Sequence, residues 1–220
     1  MRNPWIDLPD RPPHVLPSED AAVARLNFGA HPDVAVHLEL LPEPYLGHPQ
    51  APVVILNLNP GFDERDIPFH SMDPLFREIS RKNLLHQPQD YPFYLLDPRI
   101  SASLGHQWWI KKLKEPIRVA GLQPVATRVL CVEYFPYHSR RYPPIRETLE
   151  SQRYGFQLVR DAIGRGALIV IMRGQKRWLE AVPELANHGR VYKLNSVQNV
   201  AISPGNCPGG FSEIVSALSG

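Results

Sequence analysis

Polar residues, prolines and glycines follow each of the four apolar runs of this 220-residue chain. The runs span 53–58, 128–134, 167–172 and 199–203, and the segments NPGF, FPYHSRRY, RGQKRW and PGNCPGGF follow them in that order. Proline and glycine let the backbone turn sharply and bring amide N–H groups close to a ligand. Each segment alone also fits an ordinary turn between a strand and a helix. Four such ends in one chain favour a shared binding pocket.

Asn59, the first residue after the first run, could carry out one specific kind of chemistry. A side-chain amide can orient a water molecule by accepting a hydrogen bond from it, but it is not a strong general base. Orientation alone is sufficient where the leaving group departs early and leaves an oxocarbenium-like sugar, as in glycosidic bond cleavage. The turn at Asn59 is therefore compatible with hydrolysis of a glycosidic bond.

Basic residues in two of the segments could contact anions. His138, Arg140 and Arg141 follow the second run, where they could contact phosphates. Arg173 ends the third run, where a predicted helix N-terminus offers a natural anion site. Ordinary solvated side chains are an equally simple explanation for each of these residues.

The apolar runs indicate the elements that must hold these residues. Near-continuous apolar runs are typical of strands buried on both faces of a parallel sheet, and helices are predicted between them at 105–120, 145–163 and 174–186. This alternation predicts an α/β fold, a three-layer sandwich with a central, mostly parallel four-stranded sheet. Ligands of such sheets bind beyond the carboxyl ends of the strands. The residues expected to share that edge are Asn59, Glu133, Arg173 and Ser203.

The chain is expected to form one domain overall, since 220 residues with 43% hydrophobic content can build one substantial core. Residues 1–50 are predicted to be a proline-rich lead-in packed on the core, and 51–220 the main α/β domain. Three smaller elements are also predicted: a helix at 18–27 with Ser18 as its N-cap, a strand at 34–41 with one solvated face, and a strand at 190–194 antiparallel to 199–203.

Composition narrows the class of protein. The formal net charge of +2 does not by itself require a nucleic-acid partner, although lysines cluster at 111–114 and arginines at 140–146. Two cysteines provide neither a disulfide framework nor a metal-ligand spacing, and HExxH, Walker A and GxGxxG patterns are absent. We therefore expect a cytoplasmic monomer without metal or cofactor. No apolar run approaches the roughly 18 to 20 residues that a membrane span needs, so no membrane association is expected.

Short motifs in the same chain order resemble the uracil-DNA glycosylase superfamily, particularly its mismatch-specific and single-strand-selective branches. Asn57-Leu58-Asn59-Pro60-Gly61 contains the NPG of the family motif GINPG or GMNPG. The segment IPFH, with Phe69, is similar to the family's VPFG, and VEYFPY places Glu133 where the family has a base-reading Asn. AISPGN resembles the final HPSP-Arg-Asn motif from Ser203 onward. The resemblance covers about residues 50–212.

The resemblance implies a cofactor-independent enzyme that cleaves the N-glycosidic bond of a flipped base in single-stranded or mismatched DNA. It implies that Asn59 positions the water and that Phe69 stacks on the base. The residues carried over, together with the basic residues above, fall into three groups: catalytic, Asn59 and Ser203; base-binding, Asn57, Pro60, Gly61, Phe62, Phe69 and Glu133; and nucleic-acid-binding, His138, Arg140, Arg141, Arg173, Gly205 and Asn206.

Two departures from the family pattern keep other functions open. Ala201 replaces the family His that stabilises the developing anionic base, a loss shared by the mismatch-specific branch. Glu133 is acceptor-only when ionised, so uracil would fit poorly and a base edge rich in donors would fit better. A degenerate member that binds a nucleobase, nucleotide or nucleic acid without cleaving it is one alternative. An unrelated α/β hydrolase or transferase is another.

Overall fold

The computed structural model describes residues 1–196 and 198–220. At its centre is a five-stranded sheet in the spatial order β1-β3-β2-β4-β5. β1 runs antiparallel to β3, and the other neighbouring pairs are parallel. The strands are β1 Tyr45–Gly47, β2 Val53–Asn57, β3 Val129–Glu133, β4 Leu168–Ile171 and β5 Val191–Lys193.

Helices cover both faces of the sheet, so the architecture is a three-layer α/β sandwich. Successive residues of β2 point to opposite faces: Val54 and Leu56 belong to one core cluster, and Val53 and Ile55 to the other. The helices are α1 Asp20–Asn27, α2 Ile67–Met72, α3 Pro74–Leu84, α4 Leu104–Lys112, α5 Lys114–Ala120, α6 Leu122–Arg128, α7 Glu150–Gly164, α8 Gln175–Ala181 and α9 Phe211–Ser219.

The three central strands are apolar along nearly their whole length because both of their faces are covered. All residues of β2, β3 and β4 are buried, including the polar Asn57 and Glu133 that end β2 and β3. These two residues are register partners in the parallel pair β2–β3. The sheet therefore places two buried polar side chains next to each other at its carboxyl edge.

Local signals in the sequence set the helix starts beside that edge. Pro74 occupies the first turn of α3, and the Asp73 side chain accepts a hydrogen bond from the Phe76 N–H at 3.0 Å. Ser103 caps α4 in the same way by accepting from the His106 N–H at 3.2 Å. Such side-chain caps satisfy the free N–H groups of a first helical turn. Both helices thereby start at defined residues near the carboxyl ends of the strands.

The N-terminal segment packs on one face of the sheet. Trp5, Val15 and Leu16 are buried in the same core cluster as Val54 and Leu56. β1, at 45–47, pairs with β3 and so extends the sheet into the segment predicted as a lead-in. Pro44 O accepts from the Glu133 N–H at 2.9 Å just beyond β1. This pairing brings the neighbouring Glu43 close to the end of β3.

Four details of the sequence-based prediction are wrong. The sheet has five strands rather than four, and the run at 199–203 forms none of them. The strand at 191–193 takes its place and is parallel to β4, not antiparallel to 199–203. The segment 34–41 makes only an isolated bridge, from His37 to His138. Ser18 does not cap α1; Glu19 occupies the cap position, and the Ser18 hydroxyl donates to Glu150.

Residues 199–203 do not form a strand because other elements cover their apolar side chains. Val200 and Ile202 are buried among side chains from α9 and from the helical layer, and the Ile202 N–H donates to Lys112 O at the end of α4. The apolar side chains of this run thus pack as core without a strand partner, and apolar runs of four to five residues do not distinguish these two outcomes.

Within the described residues, no helix combines the length and apolar character required to cross a membrane.

Candidate active site

A cavity of about 260 Å³ opens at the carboxyl ends of β2, β3 and β4. This volume is near the lower end of the roughly 300 to 1,000 Å³ typical of small-molecule sites. The parallel strands follow the spatial order β3-β2-β4-β5, so the connections leaving β2 and β3 run to opposite sides of β2. Ligands of open α/β sheets bind at such reversal points. The cavity therefore lies where this fold most often binds a ligand.

Asn57 and Glu133 form the floor of the cavity. Asn57 is 4% and Glu133 6% exposed, and Asn57 Nδ2 donates to Glu133 Oε1 at 2.9 Å. Within the described part of the chain, Asn57 Oδ1 and Glu133 Oε2 have no hydrogen-bond partner. Buried polar atoms are nearly always paired, and an unpaired one costs about 1 to 3 kcal/mol. The floor thus contains two buried oxygens whose hydrogen-bonding capacity is unused.

The pKa of Glu133 is raised to about 8, mainly by burial and with a contribution from the nearby carboxyl of Glu43. The hydrogen bond from Asn57 and the positive charge of Arg173 act in the opposite direction. Glu133 is therefore mainly protonated at pH 7, in contrast to the ionised, acceptor-only side chain expected from the sequence. A protonated carboxyl can donate through its O–H as well as accept.

Asn59 lines the cavity on the loop that follows β2. Its Nδ2 lies within hydrogen-bond distance of Ser139 Oγ at 3.0 Å, Ser139 O at 3.1 Å and Pro60 O at 3.1 Å. These acceptors fix the orientation of the amide plane. Among the residues that the structure describes, none donates to Asn59 Oδ1, so this oxygen can accept a hydrogen bond from a water molecule or a ligand.

Two histidines support the opposite wall of the cavity. His70 Nδ1 accepts from the Leu41 N–H at 3.0 Å, which fixes the neutral tautomer with a proton on Nε2. Complete burial lowers the pKa of His70 well below its usual value. The two ring nitrogens of His138 lie 2.6 Å from Gly61 O and 3.0 Å from Leu41 O. His138 therefore joins two loops of the wall through their carbonyl oxygens.

Glu43, His70 and His138 are the only described residues whose grouping could suggest a metal centre, since one ligand atom of each lies within 4.8 Å of the others. Their hydrogen bonds oppose that use. Both nitrogens of His138 face carbonyl oxygens, and His70 Nδ1 is used by a backbone N–H. A metal ligand must offer a free lone pair, so a metal ion would have to break these bonds. The donor set does not fit a metal site.

Two more carboxyl groups face the cavity. Glu43 is 9% exposed and accepts from the Tyr94 hydroxyl at 2.6 Å. The pKa of Asp66 is raised to about 6, mainly by burial and with a contribution from the carboxyl of Glu43, whereas His138 acts in the opposite direction. Asp66 is therefore largely ionised at pH 7. A carboxylate with a pKa near the working pH is suited to accept a proton from a bound water.

Aromatic and apolar side chains complete the walls: Phe62, Phe76, Leu95, Trp108 and Trp109. Trp108 and Trp109 pack edge to face with centroids 4.7 Å apart, and Lys112 Nζ lies 5.5 Å from the centroid of the Trp108 ring. Trp109 is buried in the core and also packs on Phe93. Trp108 is only partly buried and presents a surface to the cavity.

Phe69, the expected stacking residue, lies behind the wall. It is on α2, and its ring packs on Phe76 with centroids 5.9 Å apart. It is Phe76 that lines the cavity, while Phe69 contributes to the core cluster on that side of the sheet. Phe62 does line the cavity, and it stacks on His37 with centroids 3.3 Å apart. The wall aromatics thus come mainly from α3, α4 and the loop after β2.

Arg140 and Arg173 are exposed and line the mouth of the cavity. Arg140 lies 5.3 Å from the centroid of Phe62 and pairs with Glu64 at 3.2 Å. Arg173 has no acidic partner within salt-bridge distance in the described ranges 1–196 and 198–220. Arg141 lies away from the mouth and pairs with Asp33 at 3.3 Å. Arg173 is therefore the cation at the mouth most available to an anionic ligand.

The loop 203–206 lies outside the cavity lining. Asn206 holds this loop together: its Nδ2 donates to Asn199 O and Ala201 O, both at 2.8 Å, and its Oδ1 accepts from the Ser196 N–H. Ser203 Oγ accepts from the Asn206 N–H at 3.3 Å, and Gly205 O accepts from Asn195 Nδ2. The polar groups of the segment therefore serve the loop itself.

The structure brings together most of the residues expected at the site from the sequence: Asn57, Asn59, Pro60, Gly61, Phe62, Glu133, His138, Arg140 and Arg173 line one cavity. Phe69, Arg141, Ser203, Gly205 and Asn206 do not line it. Sequence reasoning missed Glu43, Asp66, His70 and Phe76. The segment FDERDIPFH after the NPG turn was the available signal, because it concentrates carboxyl groups and a histidine beside the expected pocket.

Comparison of the chain with protein-family models, with curated proteins and with solved structures gives no match.

Proposed function

We propose that this protein is a divergent uracil-DNA glycosylase-like enzyme that binds a flipped nucleobase in the cavity and hydrolyses its N-glycosidic bond. The observation that carries the proposal is the buried Asn57–Glu133 pair, which lines a cavity with aromatic walls and has two oxygens without a hydrogen-bond partner among the described residues. Base-binding pockets combine stacking surfaces with a few polar groups that contact the base edge. The NPG turn and the order of the short motifs support the same family.

The chemistry assigned to the site follows from two side chains. Asn59 Oδ1 accepts a hydrogen bond from the attacking water, and its amide nitrogen is held by Ser139. Asp66 is the cavity carboxylate that takes the proton of that water as the C1′–N bond breaks. An early-departing base leaves an oxocarbenium-like sugar, so a strongly activated nucleophile is not required.

Binding without cleavage is the second candidate. One observation favours it: Ala201 and the loop 203–206, which correspond to the family's final motif, lie outside the cavity lining. The donor that the family supplies from this motif is therefore missing at the site. Losing one such donor reduces the rate by a factor of roughly 10² to 10³. A protein that retained only the floor and the aromatic walls would bind a base without releasing it.

A matched pair of variants separates the two candidates. Oligonucleotides containing uracil, hypoxanthine, xanthine or an alkylated base are incubated with the wild type, Asn59→Ala and Asn187→Ala, and abasic-site cleavage is read on gels. Asn187 is an exposed residue at the end of a short helix remote from the cavity. We expect excision of at least one base by the wild type and by Asn187→Ala, with a loss of about 10²-fold in Asn59→Ala.

Affinity measured on the same oligonucleotides defines the remaining outcomes. If the wild type binds a base-containing oligonucleotide but releases no base, the binding function replaces the enzymatic one. If it neither binds nor cleaves any of these substrates at low salt, both candidates are excluded, and an unrelated α/β hydrolase or transferase becomes the working hypothesis. Undiminished excision by Asn59→Ala would contradict the role of this amide.

A further inference from the structure

The interior of the cavity contains more acidic than basic groups. Glu43, Asp66 and Glu133 face it without an ion-pair partner among the described residues, whereas Asp63 at the rim pairs with Arg65. The basic groups are His138, which is bound to two carbonyl oxygens, His70, which burial keeps neutral, and Arg140 and Arg173 at the exposed mouth. A ligand that reaches the floor therefore meets a surplus of carboxyl groups.

The unpartnered atoms of the cavity floor also favour a ligand that donates hydrogen bonds or carries positive charge. Glu133 Oε2 and Asn57 Oδ1 are both oxygens with no donor to satisfy them, and both belong to side chains more than nine-tenths buried. The walls around them contain aromatic side chains, and the faces of such rings carry negative quadrupoles that attract cations. Carboxyl oxygens, an amide oxygen and aromatic faces together form an environment that favours a flat, positively charged ligand.

We propose that the base bound by this cavity carries a positive charge, as an N-alkylated purine does, and that Glu133 with Glu43 and Asp66 provides the counter-charge. This inference rests on the proposed function and specifies its substrate class. A ring alkylated at N7 is flat, fits between aromatic walls and carries a delocalised charge over the imidazole ring. A neutral base of the same shape lacks the attraction to the carboxyl groups.

The reaction of such a base explains the replacement of the family His by Ala201. When the C1′–N9 bond of an N7-alkylated purine breaks, its electron pair moves into the ring and cancels the positive charge. The base leaves as a neutral molecule, the water oxygen bonds to C1′, and the water proton passes to Asp66 and then to solvent. No anionic base forms, so the donor that the family places at this position is not required.

Binding of a cation should also change the protonation of the floor. Glu133 is mainly protonated at pH 7 because its ionised form is buried without sufficient counter-charge. A cationic ligand supplies that charge and lowers the pKa of the carboxyl below 7. The full chain should therefore release about one proton for each cation bound at pH 7. A neutral ligand should release none.

Calorimetric titration of the full-length protein with 7-methylguanosine and with its neutral shape match, 7-methyl-7-deazaguanosine, tests the proposal. We expect the cationic nucleoside to bind on the order of tenfold more tightly. Repeating the titration in buffers of different ionisation enthalpy gives the number of protons released. Glu133→Gln should remove both the preference and the proton release. Glu43→Gln should weaken the preference, and it provides a second variant if Glu133→Gln fails to fold.

Excision of 7-methylguanine, hypoxanthine and uracil from matched duplexes tests the glycosylase function and the preference for a charged base separately. Preferred binding and release of 7-methylguanine supports both. Equal affinity for the two nucleosides, or faster release of uracil and hypoxanthine, overturns the charge preference but leaves the glycosylase function intact. Absence of binding and release for every base excludes the glycosylase function, and the charge preference with it.

Discussion

Two buried glutamates, one on each side of the sheet, differ in how completely their oxygens are hydrogen-bonded. Glu19 is 1% exposed and accepts from the Tyr137 hydroxyl at 2.6 Å, the Ser151 N–H at 2.6 Å and the Ser151 hydroxyl at 3.0 Å. Glu133 is 6% exposed; Asn57 donates to its Oε1, and Oε2 is without a partner in the described part of the chain. Burial raises the pKa of both side chains.

The difference distinguishes a carboxyl that stabilises the fold from one that is available to a ligand. Every oxygen of Glu19 is used to fasten the start of α1 to α7 and to the segment after β3. At Glu133 the sheet holds the carboxyl in place but leaves part of its bonding capacity free beside a cavity. Full satisfaction stabilises a fold, whereas partial satisfaction at a cavity indicates a binding role.

The largest expected effect is on stability and concerns Glu19. Glu19→Ala should lower the free energy of unfolding by about 3 kcal/mol, because it leaves buried donors of Ser151 and Tyr137 unpaired. Glu133→Gln should cause no loss at pH 7 and should instead raise it, since the new side chain can still accept from Asn57 and has no carboxyl whose ionisation favours the unfolded chain. Urea denaturation followed by circular dichroism at pH 7 measures both. Comparable losses in the two variants would remove the distinction.

The second prediction concerns pH. The pKa of Glu133 is about 8 in the folded protein, against an ordinary value of 4.5. Between these values the folded state binds more protons than the unfolded chain, so this residue makes stability fall as pH rises, by up to about 1.4 kcal/mol per pH unit. Below 4.5 and above 8 its contribution is constant. The groups that act on Glu133 are Glu43, Arg173, Asn57 and Cys131.

Unfolding curves of the wild type and Glu133→Gln from pH 4 to pH 9 isolate this contribution, because all other titrating groups are common to both proteins. The wild type should lose stability relative to the variant as pH rises through this range. A difference in stability that does not change with pH would show that the pKa of Glu133 is not raised in the folded protein.

The third prediction compares two aromatic residues near the ligand side. Trp108→Leu should reduce affinity for the tightest-binding nucleoside of the panel by about 1 to 2 kcal/mol, because a ring facing the cavity can stack on a base. Phe69→Leu should leave that affinity nearly unchanged, since Phe69 packs on Phe76 behind the wall. Fluorescence or calorimetric titration measures both variants. A larger loss in Phe69→Leu would restore the assignment made from the IPFH motif.

The smallest expected effect is electrostatic and concerns the mouth. Arg173→Gln should reduce the slope of log K against log salt for oligonucleotide binding by about 0.7 to 0.9, the contribution of one phosphate contact. Arg141→Gln should change the slope less, because Arg141 pairs with Asp33. Equal changes in the two variants would indicate a diffuse basic surface in place of a defined contact at the mouth.

The sequence was sufficient to predict the three central strands and the polar edge they create. Their runs are nearly uniformly apolar because both faces are buried, and the residues that end them, Asn57 and Glu133, interrupt the pattern at the position where a parallel sheet binds ligands. A strand at 190–194 was expected, but its place beside β4 was not predictable by the same reasoning. Residues 191–193 are only partly buried, whereas 200 and 202 are buried without strand pairing, so hydrophobicity favoured the wrong segment.

The sequence predicted the part of the site that depends on neighbouring strands. It did not predict the parts that depend on other tertiary contacts. The protonation of Glu133 depends on burial and on Glu43, which β1 brings from a distant part of the chain. The exchange of Phe69 for Phe76 depends on the packing of α2 on α3, a contact between helices whose relative rotation no motif specifies. Such tertiary contacts are decided by packing rather than by local pattern.

The most direct test of the central claim is a titration of the Glu133 carboxyl carbon by ¹³C NMR, with Glu133→Gln used to assign the resonance. The account predicts a pKa of about 8 for the protein alone, moving below 7 when 7-methylguanosine is added and remaining near 8 with its neutral deaza counterpart. A Glu133 resonance that titrates near 4.5 in the protein alone would contradict the claim that this carboxyl is buried, incompletely satisfied and available to a ligand.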